Sequence, residues 1–598
     1  MGANLFFVGT GATLELTAVP GDEALLKAWR ERVASARTAL GWTETGIAVR
    51  HHANGVSLSI AAPVDQLFLA TEVNEWALCA SLLEREPASG PAHGPRGSGL
   101  EAALLAAAIE NAPADADPAA IDAPVLEQSA AYARFGRLAA REARSDLRAV
   151  LAAAEAHQLP AILDEKILTL GAGVGSQSYP LDALPGPAAI PWSSLHDIPT
   201  ALITGSNGKT TTVRLLAACA REQGWRAAYN CTDGVFSGGE ALARGDYSGP
   251  AGARRVLREP RTEAAILEVA RGGILRRGAA ITRAQVVVVT NISADHFGEY
   301  GIDDLDGLAD TKLAIAGVLP QDGLLVLNAD DPLLRAKAEA LAQRFGRALV
   351  LAWFALDFDH ALLREHRAGG GATCGVRAGH LLLGAAGAGT TDLGAIQALP
   401  LTVDGYATYN IANLAGAALA AAALGIAAAA IARVYAHFGA ALEDNPGRMM
   451  RFDAGGVRVL VDYAHNPDGL RGFLQVASQM RAERGRLGLV LGHAGNRKDE
   501  DVQQLARVAA GFHPDLIVIK EDEAHLRGRS AGDVPRIIRA ELLRLGLPEA
   551  ALLMRANELD AARCALEWAR PGDVLALPMH ASDARAAVLQ ILQARSDR

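Results

Sequence analysis

The chain has 598 residues, 50% of them hydrophobic and 21% charged, and a net charge of −10. That length implies several domains with separate cores. The acidic balance argues against a general nucleic-acid binder or a partner of anionic membranes.

The five cysteines (79, 219, 231, 374 and 564) are scattered with no C-x-x-C pair, as expected for reduced thiols in a cytoplasmic protein. No basic region followed by a long apolar core opens the chain, so no signal peptide is expected.

In chain order, residues 1–195 read as an N-terminal α/β or α+β domain of unassigned role. It contains strand-like runs at 5–8 and 56–60, Pro-rich loops at 86–98 and 111–124, a helical stretch at 125–158 and a linker at 180–198. Apolar runs at 201–203, 265–267, 286–290 and 324–327 then alternate with helical stretches, the pattern of buried parallel strands joined by crossovers. This predicts a central α/β domain over 196–444, a P-loop-type parallel sheet with flanking helices. Residues 414–432 carry no charge and are long enough to span a bilayer. They are mostly alanine and glycine and are interrupted by Gly425, so a pair of buried helices is the better reading. A third unit, 445–598, has runs at 457–461, 488–491, 516–519 and 573–577 and reads as a Rossmann-like α/β domain.

Residues 204–212 read Thr-Gly-Ser-Asn-Gly-Lys-Thr-Thr-Thr, between an apolar strand and a helix-like stretch. Strand, glycine loop, Lys-Thr and helix form a phosphate cradle, shorter here than the G-x-x-x-x-G-K-[ST] form. Gly205, Ser206, Asn207 and Gly208 make the loop, and Lys209 reaches the terminal phosphates. Thr210 ligates Mg²⁺, and Thr211, at the helix start, completes the nucleotide-binding set. Lysine usage supports this assignment. The chain has seven lysines among 57 basic residues, so arginine is its ordinary cation and a lysine at this place is there for a reason.

Glu268 ends one apolar run, and His296 follows the end of the next. Chemistry in open α/β sheets sits at the carboxyl ends of strands. Glu268 and His296 are therefore candidate ligands of a divalent metal, although Mg²⁺ favours oxygen donors and either residue alone reads as a solvated strand-end group. Lys312 falls in a helical stretch and by itself reads as an exposed helix lysine.

Seven motifs occur in the order of the Mur ligase superfamily: the 204–211 loop, Glu268, Asn-Ile-Ser-Ala-Asp-His at 291–296, Leu-Asn-Ala-Asp-Asp-Pro at 327–332, Tyr-Asn-Ile-Ala-Asn at 409–413, Pro-Gly-Arg-Met at 446–449 and Asp-Tyr-Ala-His-Asn-Pro at 462–467. Further segments at 232–234, 245–250, 268–276 and 520–529 resemble the Mur-like C-terminal part of the cyanophycin synthetase branch. The resemblance covers roughly 200–598. It implies ATP and Mg²⁺ as cofactors, with Lys209 and Thr210 on phosphates and metal, and Glu268 and His296 on a second metal. It also implies a lysine of carbamylation type at 312, Asn413 at adenine, Arg448 on phosphates, Asp462 at ribose and His465 near the γ-phosphate. Ser206 and Tyr409 depart from the family's usual Thr and His.

The implied reaction is ATP-dependent and ADP-forming. A carboxylate is activated as an acyl phosphate and joined to an amino acid, in that branch arginine on an aspartyl chain. The branch motifs assign Thr232, Asp233, Arg271, Glu521, Asp522, Arg527 and Arg529 to substrate. A charged loop paired within itself is the other reading of 520–529. A muramyl- or polyglutamate-type ligase and a non-catalytic nucleotide-binding partner of a cyanophycin synthetase are the rival functions. That branch carries an N-terminal domain and an ATP-grasp domain, and residues 1–195 are too few for both, so a separate ATP-grasp or cyanophycin synthetase enzyme is an expected partner. The oligomeric state is not readable.

Overall fold

The computed structural model describes residues 2–17, 22–44, 46–85, 97–111, 125–294, 297–385, 389–495, 497–521 and 526–596. The protein is a multidomain α/β structure, and the described residues form four sheets.

Residues before Thr200 build two small antiparallel sheets. The first, in the order β1-β3-β2, comprises β1 (Gly11–Thr17), β2 (Ile47–His52) and β3 (Gly55–Ala61). Its buried face packs on helices Glu23–Leu40 and Leu67–Arg85, with Trp29 fully enclosed and its indole N–H donated to Asn74 at 2.9 Å. The second comprises β4 (Ala161–Leu163), β5 (Ile167–Leu170) and β6 (Gln177–Pro180).

Residues 5–8 are not the expected strand. The Asn4 side chain accepts the N–H groups of Phe6 and Phe7 at 2.9 and 3.0 Å and curls the segment into a turn, closed by a single bridge between Ala3 and Val8. This local side-chain turn outcompetes extended pairing, and Ala3 lodges in the central core, accepting from Ala279 N–H at 2.8 Å. The 180–198 linker is packed rather than loose. Its prolines set three short 3₁₀ turns, Ile190, Leu195 and Ile198 are buried, and Trp192 stacks on His157 at 4.7 Å. The two loops expected at 86–98 and 111–124 lie almost wholly outside the described residues.

The central sheet has eleven strands in the order β10-β9-β8-β11-β7-β12-β13-β14-β15-β16-β17. They are β7 (Thr200–Thr204), β8 (Ala227–Cys231), β9 (Gly234–Ser237), β10 (Glu240–Arg244), β11 (Ala264–Glu268), β12 (Val286–Val289), β13 (Leu324–Asn328), β14 (Val350–Asp357), β15 (Ala372–Arg377), β16 (His380–Ala385) and β17 (Gly389–Ala395). From β8 to β15 across the sheet all pairings are parallel, and antiparallel strands close both edges. The parallel strands are buried on both faces, which is why they read as unbroken apolar runs. One face is covered by helices Lys209–Glu222, Thr408–Ala423 and Ala428–Tyr435, the other by Pro250–Arg258 and Leu305–Leu313. The uncharged 414–432 segment is thus two buried helices broken at Gly425, whose φ of +87° ends the first. Among the described residues no helix is long and apolar enough to cross a membrane.

The chain visits β8 and β11 on one side of β7 and then crosses to β12 and β13 on the other. Strand order therefore reverses at β7, and the crevice at such a reversal is where open α/β sheets bind ligands.

The fourth sheet runs β18-β19-β23-β20-β21-β22, from β18 (Met450–Asp453), β19 (Arg458–Asp462), β20 (Leu487–Leu491), β21 (Leu516–Lys520), β22 (Leu552–Arg555) and β23 (Val574–Pro578). All its pairings are parallel except β18 with β19.

Candidate active site

A cleft of about 1190 Å³ opens between the carboxyl ends of the central strands and those of the C-terminal sheet. The loop after β7 forms its floor. Gly205 has φ +144° and Gly208 φ +85°, which only glycine adopts without strain. A side chain at either place has no room: a Cβ on Gly205 meets Thr290 Oγ1 at 1.8 Å, and one on Gly208 meets Asn413 Oδ1 at 2.1 Å. Asn413, on a separate helix, therefore lies directly against the loop.

The loop is held from outside by the segment after β12. Ser206 Oγ donates to Ser293 O at 2.8 Å and accepts Ser293 N–H at 2.9 Å. Asn291 Oδ1 accepts Asn207 N–H at 2.9 Å, and Thr290 Oγ1 donates to Asn207 O at 2.6 Å. Helix Lys209–Glu222 begins at Gly208 with no side-chain cap, so its first N–H groups stay available to an anion. Lys209 Nζ donates to Gly205 O and Ser206 O, both at 3.0 Å. Lys312 is 2% exposed and donates from Nζ to Gly205 O at 2.9 Å, so it is no surface lysine.

Glu268, at the end of β11, is buried and accepts from Thr210 Oγ1 at 2.8 Å and from Thr232 Oγ1 at 3.3 Å. Burial pushes its carboxyl above the usual carboxylate range, against the opposing Lys209 charge, the Thr210 hydrogen bond and Arg448; Asp246 nearby adds to the rise. His296 lies outside the described residues, and among the described residues no group of three or more His, Cys, Asp or Glu forms a metal cluster. The oxygen donors of Thr210, Thr232 and Glu268 nonetheless converge on one point, and a set of this kind fits Mg²⁺.

The C-terminal domain supplies the facing wall. Arg448 lies over the Tyr463 ring at 4.4 Å. Asp462 accepts Met449 N–H at 2.7 Å and Ala464 N–H at 2.8 Å; burial raises its carboxyl, with Arg448 and these N–H groups opposing. His465 lines the cleft beside Tyr463. Asn207 and Asn466 exchange amide hydrogen bonds across the two walls, at 3.2 and 2.9 Å.

The residues assigned to substrate divide. Thr232, Arg271 and Arg527 line the cleft, and Arg271 is paired with Glu299. Asp233 does not; it bridges Arg214 at 2.7 Å and Arg585 at 2.9 Å, joining central and C-terminal domains. Burial pushes its carboxyl up, but Arg448, Arg214 and Arg585 outweigh this and hold it below the usual range. Glu521 accepts the Gly532 N–H, and Arg529 binds Gly495 O at 2.8 Å and Asp499 at 2.7 Å, so both tie loops together. Asp522 lies outside the described residues. The sequence reading missed Asp246, Asn466, His493 and Arg497, although all four also bear on the cleft. Asp246 and Asn466 sat inside motifs already singled out, whereas His493 and Arg497 follow β20 with no local signal beyond their strand-end position.

Profile comparison matches the Mur ligase middle domain over residues 203–357 and the Mur ligase, glutamate ligase domain over 447–577. The cyanophycin synthetase of Synechocystis sp. (strain ATCC 27184 / PCC 6803 / Kazusa) is 36% identical over 399 residues, which are 67% of this chain and 44% of that protein. The chain thus spans under half the length of that relative. The UDP-N-acetylmuramoyl-L-alanyl-D-glutamate--2,6-diaminopimelate ligase of Alkalilimnicola ehrlichii is 31% identical over 386 residues, covering 62% of this chain and 69% of that enzyme. The solved structure of E. coli FolC in complex with DHPP and ADP is 20% identical, covers 66% of this chain and 89% of that chain, and has a TM-score of 0.48. The two profile matches fall on the two walls of the cleft, and with the diaminopimelate ligase matched over most of its length, the chain belongs to the Mur ligase family.

Proposed function

We propose that the protein is an ATP-dependent, ADP-forming ligase that activates a carboxylate as an acyl phosphate and joins it to an amino acid, on an aspartyl or cyanophycin-like acceptor. The observation that carries this is the meeting in one cleft of a phosphate loop, a buried Thr210–Glu268–Thr232 oxygen cluster and the Arg448 guanidinium of the opposite domain. The cyanophycin synthetase relative supports the choice of acceptor.

A carboxylate is a poor acyl donor because oxide is a poor leaving group. Its oxygen attacks the γ-phosphorus of ATP, the bond to ADP breaks, and an acyl phosphate forms. The amine nitrogen then attacks the carbonyl carbon, the carbon–oxygen bond to phosphate breaks, and the amine gives up a proton. Lys209 and the start of helix Lys209–Glu222 hold the phosphate oxygens as charge shifts among them, and Arg448 neutralises them from across the cleft. Asn413 and Asp462 orient the nucleoside end. Thr210, Thr232 and Glu268 would hold Mg²⁺, which when bound neutralises phosphate charge. Arg527 is the cleft-facing guanidinium of the 520–529 segment and suits the carboxylate of the incoming amino acid.

The test is turnover with an acceptor carrying oxygen-18 in its carboxyl group, ATP and a panel of amino acids. The expected result is one labelled oxygen in the released phosphate and a product heavier by one amino acid less water. Labelled acceptor with unlabelled phosphate during turnover would overturn the proposal, and ATP hydrolysis indifferent to every acceptor and amine would favour a non-catalytic nucleotide-binding protein.

A further inference from the structure

Beside the cleft, a second depression of about 490 Å³ lies against helix Pro250–Arg258. Ala251 lines both hollows, so they adjoin at the start of this helix. The helix that carries Arg276 and Arg277 abuts this one: a Cβ on Gly273 meets Pro250 Cδ at 2.8 Å, and Ala270 N–H donates to Ser248 O at 2.8 Å. Four arginines therefore follow one path. Arg276 and Arg277 line the cleft, and Arg254 and Arg255 line the adjoining hollow.

These guanidiniums are little used by the fold. The Arg254 side chain makes no hydrogen bond to a described residue, and its Nε is buried without a partner among them. Arg255 spends one donor on Leu242 O at 3.0 Å, and Arg276 lies over the Tyr300 ring at 5.6 Å. Arg277 is exposed and makes no hydrogen bond or ion pair to a described residue. Arg258, by contrast, is committed to Asp164, Thr169 Oγ1 and the Ile162 and Ile167 carbonyls. The two carboxylates that line the hollow, Asp164 and Glu259, are already paired, with Arg258 and Arg261. In a chain of net charge −10, four under-used arginines in one row are not a product of overall basicity.

We infer that this arginine row is a docking track for the acceptor, which is an acidic peptide chain long enough to leave the cleft past Arg276 and Arg277 and lie along Arg254 and Arg255. The inference rests on the ligase reading for the identity of the chain as acceptor. Four guanidiniums spread over two abutting helices offer more partners to a chain of repeated carboxylates than a single compact acid could use. Each guanidinium offers planar paired donors to a carboxylate.

The experiment uses the full chain and fluorescein-labelled octa-aspartate, read by anisotropy without ATP. The wild type is expected to bind it and to weaken with rising salt. R255S/R277S, which alters two exposed side chains, is expected to bind about tenfold more weakly. R536S/R539S removes the same charge from a distant helix and is expected to bind as the wild type does. In turnover, R255S/R277S is expected to raise the ratio of KM for long over short acidic acceptors by about tenfold. Equal binding by wild type and R255S/R277S, no binding by the wild type, or equal loss in R536S/R539S overturns the track. If no acceptor supports turnover, the ligase reading fails, while the anisotropy comparison still decides the track.

Discussion

The two walls of the cleft are built by different means. On the central wall, functional atoms sit on short loops at strand ends, and each is fixed by backbone geometry and by neighbours a strand away. Glycines 205 and 208 admit no side chain, and Thr290, Asn291 and Ser293 hold the loop from the next strand. On the C-terminal wall the loops are pinned from far along the chain. Lys520 is fully buried and pairs with Glu558, which also accepts the N–H groups of His580 at 2.9 Å and Ala581 at 2.9 Å. His580 in turn reaches Ala464 O at 3.2 Å, beside His465. Burial, with Lys520, His465 and His493 nearby, holds the His580 imidazole well below its ordinary value, so it is neutral. Lys520 thus scaffolds one wall, whereas on the other Lys209 stands half-buried at the loop, where the proposed reaction would use its charge.

Breaking each wall separates these roles. Lys209→Ala removes a charge from the phosphate loop, and the hydrogen bonds it loses to described residues are those to two loop carbonyls. Turnover is expected to fall by roughly 10³, about 4 kcal/mol of transition-state stabilisation, with the urea unfolding midpoint close to that of the wild type. A parallel loss of stability would mean that Lys209 is structural, like Lys520.

On the other wall, Glu558→Ala takes the Glu558 carboxylate away from the buried Lys520 ammonium, which costs about 3–5 kcal/mol in unfolding free energy. Lys520→Met in the Glu558→Ala background is expected to recover most of it. Denaturant unfolding of the three variants checks this, and a single variant as stable as the wild type would show that the ion pair does not hold the wall.

The same contrast explains what the sequence revealed. Glycine loop, strand ends and apolar runs are local, so 201–203, 265–267 and 324–327 lie in β7, β11 and β13, 286–290 ends one residue past β12, and Glu268 faces the loop as its strand-end position implied. The outermost strands β10 and β17 escaped notice because exposure on an edge dilutes the apolar run. The segment at 520–529 was legible as important but not as to use: Lys520, Glu521 and Arg529 find partners at 558, 532 and 495–499, separations that no local pattern encodes. Lys312 is the converse case. A helical position read as exposed is buried because its helix packs under the phosphate loop.

The central wall also carries a pH dependence. The Glu268 carboxyl is raised, chiefly by burial, so its proton competes with a bound cation at higher pH than an ordinary carboxylate's would. As pH falls through that raised value, Mg²⁺-dependent nucleotide binding is expected to weaken about tenfold per pH unit. Burial of the neutral form has the opposite sign for folding: without metal, Glu268 lowers stability as pH rises from the unfolded carboxylate range to its raised folded value. Calorimetry of ADP binding with and without Mg²⁺ from acid to neutral pH tests this, and Glu268→Gln is expected to flatten the Mg²⁺ effect. A Mg²⁺ effect that keeps its pH slope in that variant would place the metal elsewhere.

The smallest expected effect is the one that joins the walls. Asn207 and Asn466 exchange two amide hydrogen bonds, each worth about 1 kcal/mol net at most. Asn466→Ala alone overstates their worth, because Asn466 Oδ1 also caps its own helix by accepting Gly469 N–H at 2.8 Å. A double-mutant cycle with Asn207→Ala removes that contribution, since the cap is lost equally in both backgrounds. The cycle should leave a coupling of about 1 kcal/mol in nucleotide affinity, with the KM for ATP raised roughly fivefold in either single variant. Strict additivity would mean that the phosphate loop binds nucleotide without help from the C-terminal domain, and that the walls are independent devices facing a common space.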